Sequence, residues 1–137
     1  MGRKKGEETI KEPTKAELEI LQVLWMHGPS TVRFVMEEIN KSRELNYTAT
    51  LKLMQLMVDK GILKRDQSKM QHVYYPGEDA KKVKAHLLDR FLDSVYNGSA
   101  ASLLIQLVHN KKTSKDDLKK MKAILGDLEK TEKEKNE

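Results

Sequence analysis

The sequence contains no cysteine, and this absence removes several kinds of chemistry. Disulfide bonds, thiolate metal ligands and thiol nucleophiles all require a cysteine side chain. No apolar run approaches the roughly 20 residues that cross a membrane as a helix. The charged residues 1–13 lack the apolar stretch of a signal peptide, and no serine or threonine at position 6 completes a myristoylation signal. We therefore expect no membrane insertion and a cytoplasmic location.

Residue clusters that carry catalysis or hold a cofactor are also missing. The four histidines are scattered, and no pair has the four-residue spacing that places zinc ligands on one helix face. Asp89 and Asp93 stand four positions apart without a nucleophile, a base or a glycine-rich phosphate loop. We predict no catalytic residues, no metal site and no cofactor, and hence no enzyme.

Length and charge give the first positive indications. A chain of 137 residues accommodates one domain, or a small domain with an appendage. Its net charge is +5 and its isoelectric point about 9.3, which favours acidic partners without naming one. Residues 41–77 hold seven lysines and arginines against three acids. Such a basic region is either a nucleic-acid contact or an ordinary solvated face.

Capping patterns divide the first half of the chain into three helices. Thr14 and Glu17 form a capping box that starts the first helix, Thr31 can cap the second, and Asn46 or Thr48 starts the third. The residues predicted to face inward are Leu18, Leu21, Leu24, Trp25, Val32, Val35, Met36, Ile39, Thr50, Leu53, Met54 and Met57. We expect one small core that closes around Trp25.

A short ribbon follows the third helix. Lys60 and Gly61 end that helix with a cation in the last turn and then the residue that most readily adopts left-handed backbone. Residues 62–65 and 72–75 are predicted strands, joined by a polar stretch. The predicted fold is mainly α, with a winged helix-turn-helix of three helices and a small β hairpin over residues 13–77. In that fold the third helix enters the major groove and the hairpin lies on the DNA backbone.

Residues 78–130 are predicted to form a three-helix dimerisation domain. The short fifth helix, ASLLIQLV, is apolar nearly all round and must be enclosed. A second copy of the chain is the preferred enclosure, and packing against the N-terminal domain is the alternative. The predicted dimer contacts are Leu87, Phe91, Leu103, Leu104, Leu107, Leu118, Met121 and Leu125. Residues 1–12 are predicted to be a disordered lead-in, and residues 131–137 a charged tail that frays.

The outer face of the third helix has side chains that suit base contacts. Threonine and alanine fit thymine methyl groups, glutamine pairs with adenine, and lysine reaches guanine or phosphate. The same composition would suit any exposed helix, but cations on the hairpin can neutralise phosphates and favour the DNA interpretation. The predicted DNA-binding residues are Arg33, Tyr47, Thr48, Ala49, Thr50, Lys52, Gln55, Lys64, Arg65 and Lys69.

Four segments together resemble a known family. The order TKAELEILQVLW, GPSTVRFVMEEI, YTATLKLMQLMVDKGILKR and HVYYP is similar to the BlaI/MecI/CopY family of penicillinase repressors. The resemblance covers residues 14 to about 128. It implies a winged-helix DNA-binding domain, a helical dimerisation domain and repression at a dyad-symmetric operator of double-stranded DNA. It also implies that the third helix is the recognition helix and that residues 62–76 are the wing.

Two departures from the family pattern bear on how such a repressor would be controlled. Copper-responsive members end in a cysteine-rich metal motif, which this chain lacks. In antibiotic-responsive members a membrane sensor-protease system causes cleavage at an Asn-Phe bond, and Gln106-Leu107 stands at that place here. The predicted function is a homodimeric transcriptional repressor with a candidate cleavage site at Gln106 and Leu107. The alternative is a winged-helix protein-interaction module that assembles a complex without specific DNA binding.

Overall fold

The computed structural model describes residues 11–136, which contain six helices and one two-stranded antiparallel sheet. The elements are α1 (Lys15–His27), α2 (Val32–Asn40), α3 (Tyr47–Asp59), β1 (Leu63–Asp66), β2 (Val73–Pro76), α4 (Ala80–Tyr96), α5 (Ala100–Val108) and α6 (Lys115–Lys135). This arrangement confirms the predicted fold class. The chain divides into two compact units, one up to Leu88 and one from Asp89 onward. The domain limits drawn from the sequence stay predictions, and most of the lead-in lies outside the described residues.

The three N-terminal helices begin at the polar residues that the sequence marks. The Thr14 hydroxyl accepts the Glu17 backbone N–H, and the Glu17 carboxylate accepts the Thr14 backbone N–H, so the capping box is complete. Thr31 caps α2 through the N–H of Phe34. Asn46 rather than Thr48 caps α3, because its side chain accepts the Ala49 N–H at 2.8 Å. Each cap satisfies an N–H that a helix leaves unpaired.

The core of the first unit does not centre on Trp25. On α1 the buried positions are Glu17, Ile20, Leu21 and Leu24, which are spaced i, i+3, i+4, i+7. Trp25 lies at the edge of this stripe and is half-buried, with the Lys84 ammonium 5.0 Å from its ring centroid. The prediction was wrong because it placed the inward stripe one position too far along the helix. The fully buried hydrophobic side chains are Ile20, Leu24, Val35, Met54, Met57, Leu63 and Tyr74.

The hairpin is displaced by one residue from its predicted position in both strands. Leu63 pairs with Pro76 and Asp66 with Val73, so Ile62 and His72 lie outside the ladder. Ile62 belongs to the preceding turn, because its N–H donates to Met57 O. Tyr74 is buried and exchanges two backbone hydrogen bonds with Ser30, at 3.0 and 2.8 Å. This bridge attaches the hairpin to the turn between α1 and α2, and the sequence pattern did not predict it.

Two glycines make the link from α3 into the hairpin and out of it. Gly61 follows α3 with a φ of 81°, a left-handed backbone conformation that residues with a side chain rarely adopt. Gly77 donates its N–H to Ile62 O, and a Cβ on Gly77 would lie 2.5 Å from the carbonyl oxygen of Gly61. Only a residue without a side chain permits this approach, so Gly77 closes the base of the hairpin.

The second unit contains α5 and α6 and exposes many apolar side chains. No residue of α5 or α6 is buried in the single chain. Among the predicted dimer contacts, Phe91, Leu104, Leu107, Leu118 and Leu125 are exposed, while Leu87, Leu103 and Met121 are half-buried. The α6 helix continues through Lys135, so the predicted fraying tail is helical almost to its end. Within α6, Lys120 pairs with Asp116 one turn earlier at 3.1 Å, a spacing that stabilises a helix.

Glu17 ties the start of α1 to the end of α3. Its side chain is 1% exposed, and its carboxylate receives the Lys60 ammonium at 3.1 Å. Burial alone would raise the pKa of Glu17. Hydrogen bonds from Thr14 and the positive charge of Lys60 outweigh burial, so the pKa lies below the ordinary value of 4.5. The carboxylate therefore stays charged in the folded protein.

We predict that Glu17→Gln lowers the free energy of unfolding by about 1 kcal/mol at neutral pH, because the acceptor for Thr14 remains but the charge opposite Lys60 is lost. Since the folded-state pKa is depressed, the wild type should lose this stabilisation as the pH falls from 4.5 through that lower pKa. Urea denaturation at a series of pH values measures both effects. The exposed Glu37→Gln on α2 is the control, and equal pH slopes in all three proteins would contradict the assignment.

Candidate functional site

The α3 helix is held at both ends by contacts to α1. At its C-terminus Lys60 reaches Glu17, as described above. Before its N-terminus, Arg43 forms a two-pronged pair with Glu19, with N···O distances of 2.9 to 3.2 Å. Two ion pairs therefore link α1 to the end of α3 and to the turn before its start.

A single asparagine braces the connection between α2 and α3. The Asn40 side chain donates to the carbonyl oxygens of Met36 and Leu45, at 2.8 and 2.7 Å, and accepts the Leu45 N–H at 3.1 Å. These bonds fix the turn that leads into the Asn46 cap. Asn40 was not identified from the sequence. Its position as the last residue of α2 was the available signal.

The outer face of α3 carries most of the residues predicted to contact bases. Thr48, Ala49, Lys52 and Gln55 are exposed, as is Tyr47 at 43%. Thr50 was predicted to contact DNA, and this prediction was wrong. Its side chain is fully buried, and its hydroxyl donates to Asn46 O at 2.7 Å. Its side chain belongs to the core and helps to close the first turn. The remaining residues form an exposed and mostly polar face.

A groove lies between α2, α3 and the tip of the hairpin. It has a volume of about 310 Å³. The Arg33 guanidinium stacks over the Tyr47 ring, 5.7 Å from its centroid, which links the start of α2 to the start of α3. The groove is lined by Thr31, Val32, Arg33, Tyr47, Leu51, Met70, Gln71, His72 and Tyr74. The structure therefore brings Arg33 and Tyr47 together with a part of the hairpin that the sequence did not single out.

The three predicted cations of the hairpin do not share one surface. Lys64 is exposed and lies opposite Tyr75 on the outer side of the ladder. Arg65 is half-buried, lies opposite the buried Tyr74, and lines a separate depression with Lys69 and Pro29. The residues that face the groove are instead Met70, Gln71 and His72. Sequence reasoning missed them because their direction depends on the turn of the hairpin.

The hairpin turn is shaped by an acid. Asp66 accepts hydrogen bonds from the backbone N–H and hydroxyl of Ser68, at 2.9 and 2.6 Å. These bonds, with the nearby charge of Lys69, lower the pKa of Asp66. Asp66 therefore stabilises the turn of the hairpin. Met70, two residues after Ser68, is fully exposed at the tip of the hairpin.

The seven cations of residues 41–77 fall into two groups in the structure. Lys41 pairs with Glu38 at 2.7 Å, Arg43 with Glu19, and Lys60 with Glu17. Among the described residues, no acidic side chain lies within ion-pair distance of the other four, which are Lys52, Lys64, Arg65 and Lys69. Three charges thus stabilise the fold, and the four on α3 and the hairpin are available to an anionic partner.

Within residues 11–136, no cluster of three or more histidine, aspartate or glutamate side chains could hold a metal ion. In that same range, no helix combines the length and the apolar character needed to span a bilayer.

The predicted cleavage residues lie on α5. Gln106 and Leu107 are both exposed in the single chain and stand within the helix, which ends at Val108. Their backbone is therefore in a regular helical turn, a conformation that a protease cannot bind without local opening.

Comparison with known proteins gives matches over most of the chain. Residues 13–127 match the family model described as penicillinase repressor. The chain is 26% identical over 128 residues to the penicillinase repressor of Bacillus licheniformis, covering 91% of this chain and 98% of that protein. It is 25% identical over 114 residues to the methicillin resistance regulatory protein MecI of Mammaliicoccus sciuri, covering 83% and 93% respectively.

Similar solved structures include the solution structure of the Bacillus licheniformis BlaI monomeric form in complex with the blaP half-operator. The TM-score is 0.47 and the identity 25%, and the match covers 53% of this chain and 89% of that one.

We predict that Lys64→Ala weakens binding to every DNA duplex by a similar factor, because an unpaired lysine that contacts phosphate carries no sequence information. The slope of log affinity against log salt should fall by about 1. Lys41→Ala is the matched control, since its ammonium is already paired with Glu38. Fluorescence anisotropy of a labelled duplex at several salt concentrations measures both variants. Equal slopes for Lys64→Ala and Lys41→Ala would contradict the division between structural and available cations.

Proposed function

Because this chain belongs to the penicillinase repressor family, we propose that it represses transcription by binding a dyad-symmetric DNA operator as a homodimer. The family consists of transcriptional repressors, and its model covers both the winged helix and most of the helical second unit. We propose further that the chain is not an enzyme and acts in the cytoplasm. Its mechanism is occupancy, in which the bound dimer denies polymerase access to the promoter.

The observation that carries this proposal is the distribution of unpaired charge. The cations within residues 41–77 that the fold does not use lie on α3 and on the hairpin, the two elements that a winged helix presents to DNA. Thr48, Ala49 and Gln55 supply uncharged groups beside Lys52 on the same exposed helix face. Charged groups give affinity and uncharged groups distinguish bases, so this surface would supply both parts of a sequence-specific contact.

The second unit would allow contact with a second half-site, because it would join two copies of the chain. Its exposed leucines, isoleucines and phenylalanine require cover that α5 and α6 do not provide in one chain. A homodimer would bury them and would link two winged helices. Linked binding makes the second half-site contact intramolecular, which raises affinity by orders of magnitude without new contacts. The proposed operator therefore contains two half-sites about one helical turn, or a multiple, apart.

Selection of genomic fragments with the purified full chain tests the proposal directly. A repressor should enrich a small set of sites with dyad symmetry, and neighbouring genes would identify its targets. A protein-interaction module would instead bind all fragments weakly and without preference. That outcome would favour the alternative function.

We predict that Ala49→Asp abolishes preference for the selected operator, with a loss of about ten- to hundredfold in affinity. The new carboxylate would lie on the exposed first turn of α3, where an acid favours the helix and should leave folding intact. Gln22→Asp adds the same charge at an exposed position on α1 and should have little effect on operator affinity. Competition binding with operator and random duplex measures the preference. An unchanged preference in Ala49→Asp would remove α3 as the reading element.

The proposed control of repression is proteolysis near Gln106-Leu107 by a membrane sensor-protease system. Cutting α5 would separate the winged helix from α6 and remove the linked second half-site. We predict a fragment that ends near residue 106 in induced cells, measured by mass spectrometry of the protein from induced and uninduced cultures. An intact chain together with derepressed target genes would exclude proteolysis and indicate a different signal.

A further inference from the structure

A glycine stands inside α6 at a position where the single chain does not require one. Gly126 is the twelfth residue of a 21-residue helix, and glycine is less favourable than alanine in a helix interior. A Cβ added at Gly126 would meet no atom within 4 Å outside its own helix. Nothing in the described part of the chain therefore explains the missing side chain.

Gly126 borders an apolar groove between α5 and α6. The groove has a volume of about 380 Å³ and is open to solvent. It is lined by Leu104 and Val108 from α5 and by Leu118, Met121 and Leu125 from α6. An apolar groove of this kind requires a partner with an apolar ridge of similar width.

The charges beside the groove indicate which partner fits. Lys122 and Glu129 both border it and are seven residues apart, so they lie on one line along α6. Neither has an ion pair among the described residues. A second α6 that runs antiparallel can place each Lys122 opposite the partner's Glu129, and the register that does so is the one in which opposite charges meet. The midpoint between these two positions falls between Leu125 and Gly126.

A parallel second copy does not fit the same charges. It would place Lys122 opposite the partner's Lys122 and Glu129 opposite the partner's Glu129. Like charges that face each other across a helix pair repel. The antiparallel arrangement is self-complementary, as a two-fold interface requires, because each contact occurs twice.

We infer that the α6 helices of two copies pack antiparallel in this groove, about a two-fold axis close to Gly126. The partner's Leu125 then lies over the bare backbone of Gly126, and two reciprocal Lys122–Glu129 pairs flank it, each about 5 Å along the helix from the axis. The inference rests on the proposed homodimer and adds the orientation, the register and the role of Gly126.

Charge exchange tests the orientation in the full-length protein. Lys122→Glu or Glu129→Lys alone converts two attractive contacts into two repulsive ones, and each should raise the dimer dissociation constant about tenfold at low salt. The double variant should return within about twofold of the wild type. Lys130→Glu, on the same helix but not on the groove, is the control and should change dimerisation little. Sedimentation equilibrium measures all four, and additive weakening in the double variant would overturn the inference.

Disulfide cross-linking tests the register. The chain has no native cysteine, so only the introduced cysteines can form a disulfide. A disulfide needs Cα atoms within about 7 Å. In the proposed register Lys122→Cys alone should not cross-link, because its two copies lie about 10 Å apart along the axis. An equimolar mixture of Lys122→Cys and Glu129→Cys should form a disulfide heterodimer. Cross-linking of Lys122→Cys with itself, and not with Glu129→Cys, would indicate a parallel pair.

Gly126→Ala separates helix stability from dimerisation. Alanine should preserve or increase the helical circular dichroism signal of the monomer, while its methyl group occupies the space of the partner's Leu125 and weakens the dimer at least about tenfold. Thr131→Ala, on the same helix and away from the groove, should leave dimerisation unchanged. A wild type that is monomeric at tens of micromolar would contradict the proposed homodimer itself. A wild-type dimer unaffected by Gly126→Ala and by the charge exchanges would contradict this inference alone.

Discussion

A carboxylate that lies out of solvent must be compensated, and Glu17 is compensated from two directions. The Thr14 backbone N–H and the Lys60 ammonium both reach it, at 2.9 and 3.1 Å. Removing either partner would leave a buried charge without its full set of contacts, which is among the costlier defects in a small protein. The same contact joins the first residues of α1 to the end of α3. This contact therefore adds to the packing of Met54 and Met57 in holding α3 against the rest of the first unit.

The other contacts of the first unit extend this constraint toward the candidate interface. Arg43 holds the approach to α3 against Glu19, Asn40 closes the turn before it, and Tyr74 attaches the hairpin to Ser30. Because these groups are occupied within the fold, the remaining cations on α3 and the hairpin are the ones left for an anionic ligand. An interface that binds DNA needs its contacting groups held in place, since each side chain that becomes ordered on binding lowers the affinity.

The two units differ in how much of their apolar surface they bury within one chain. In the first, three helices and a hairpin enclose Ile20, Val35, Met54, Met57 and Tyr74 within one chain. In the second, α5 and α6 leave their leucines exposed, because two helices have too little surface to bury the apolar faces of both. A division of this kind suits a repressor whose DNA contacts are preformed in each copy and whose valency depends on association.

The sequence by itself determined the local elements. Caps at Thr14, Thr31 and Asn46 and the turn at Gly61 predicted the three helices of the first unit, and the apolar stretch ASLLIQLV predicted α5, because these signals act within a few residues. Tertiary structure alone decided which face of α1 is buried, that Thr50 belongs to the core, and that Met70, Gln71 and His72 face the groove in place of the hairpin cations. It also decided which lysines are paired. These outcomes depend on contacts between residues far apart in the sequence, such as Lys60 and Glu17, which are 43 positions apart, and a local pattern contains no information about them.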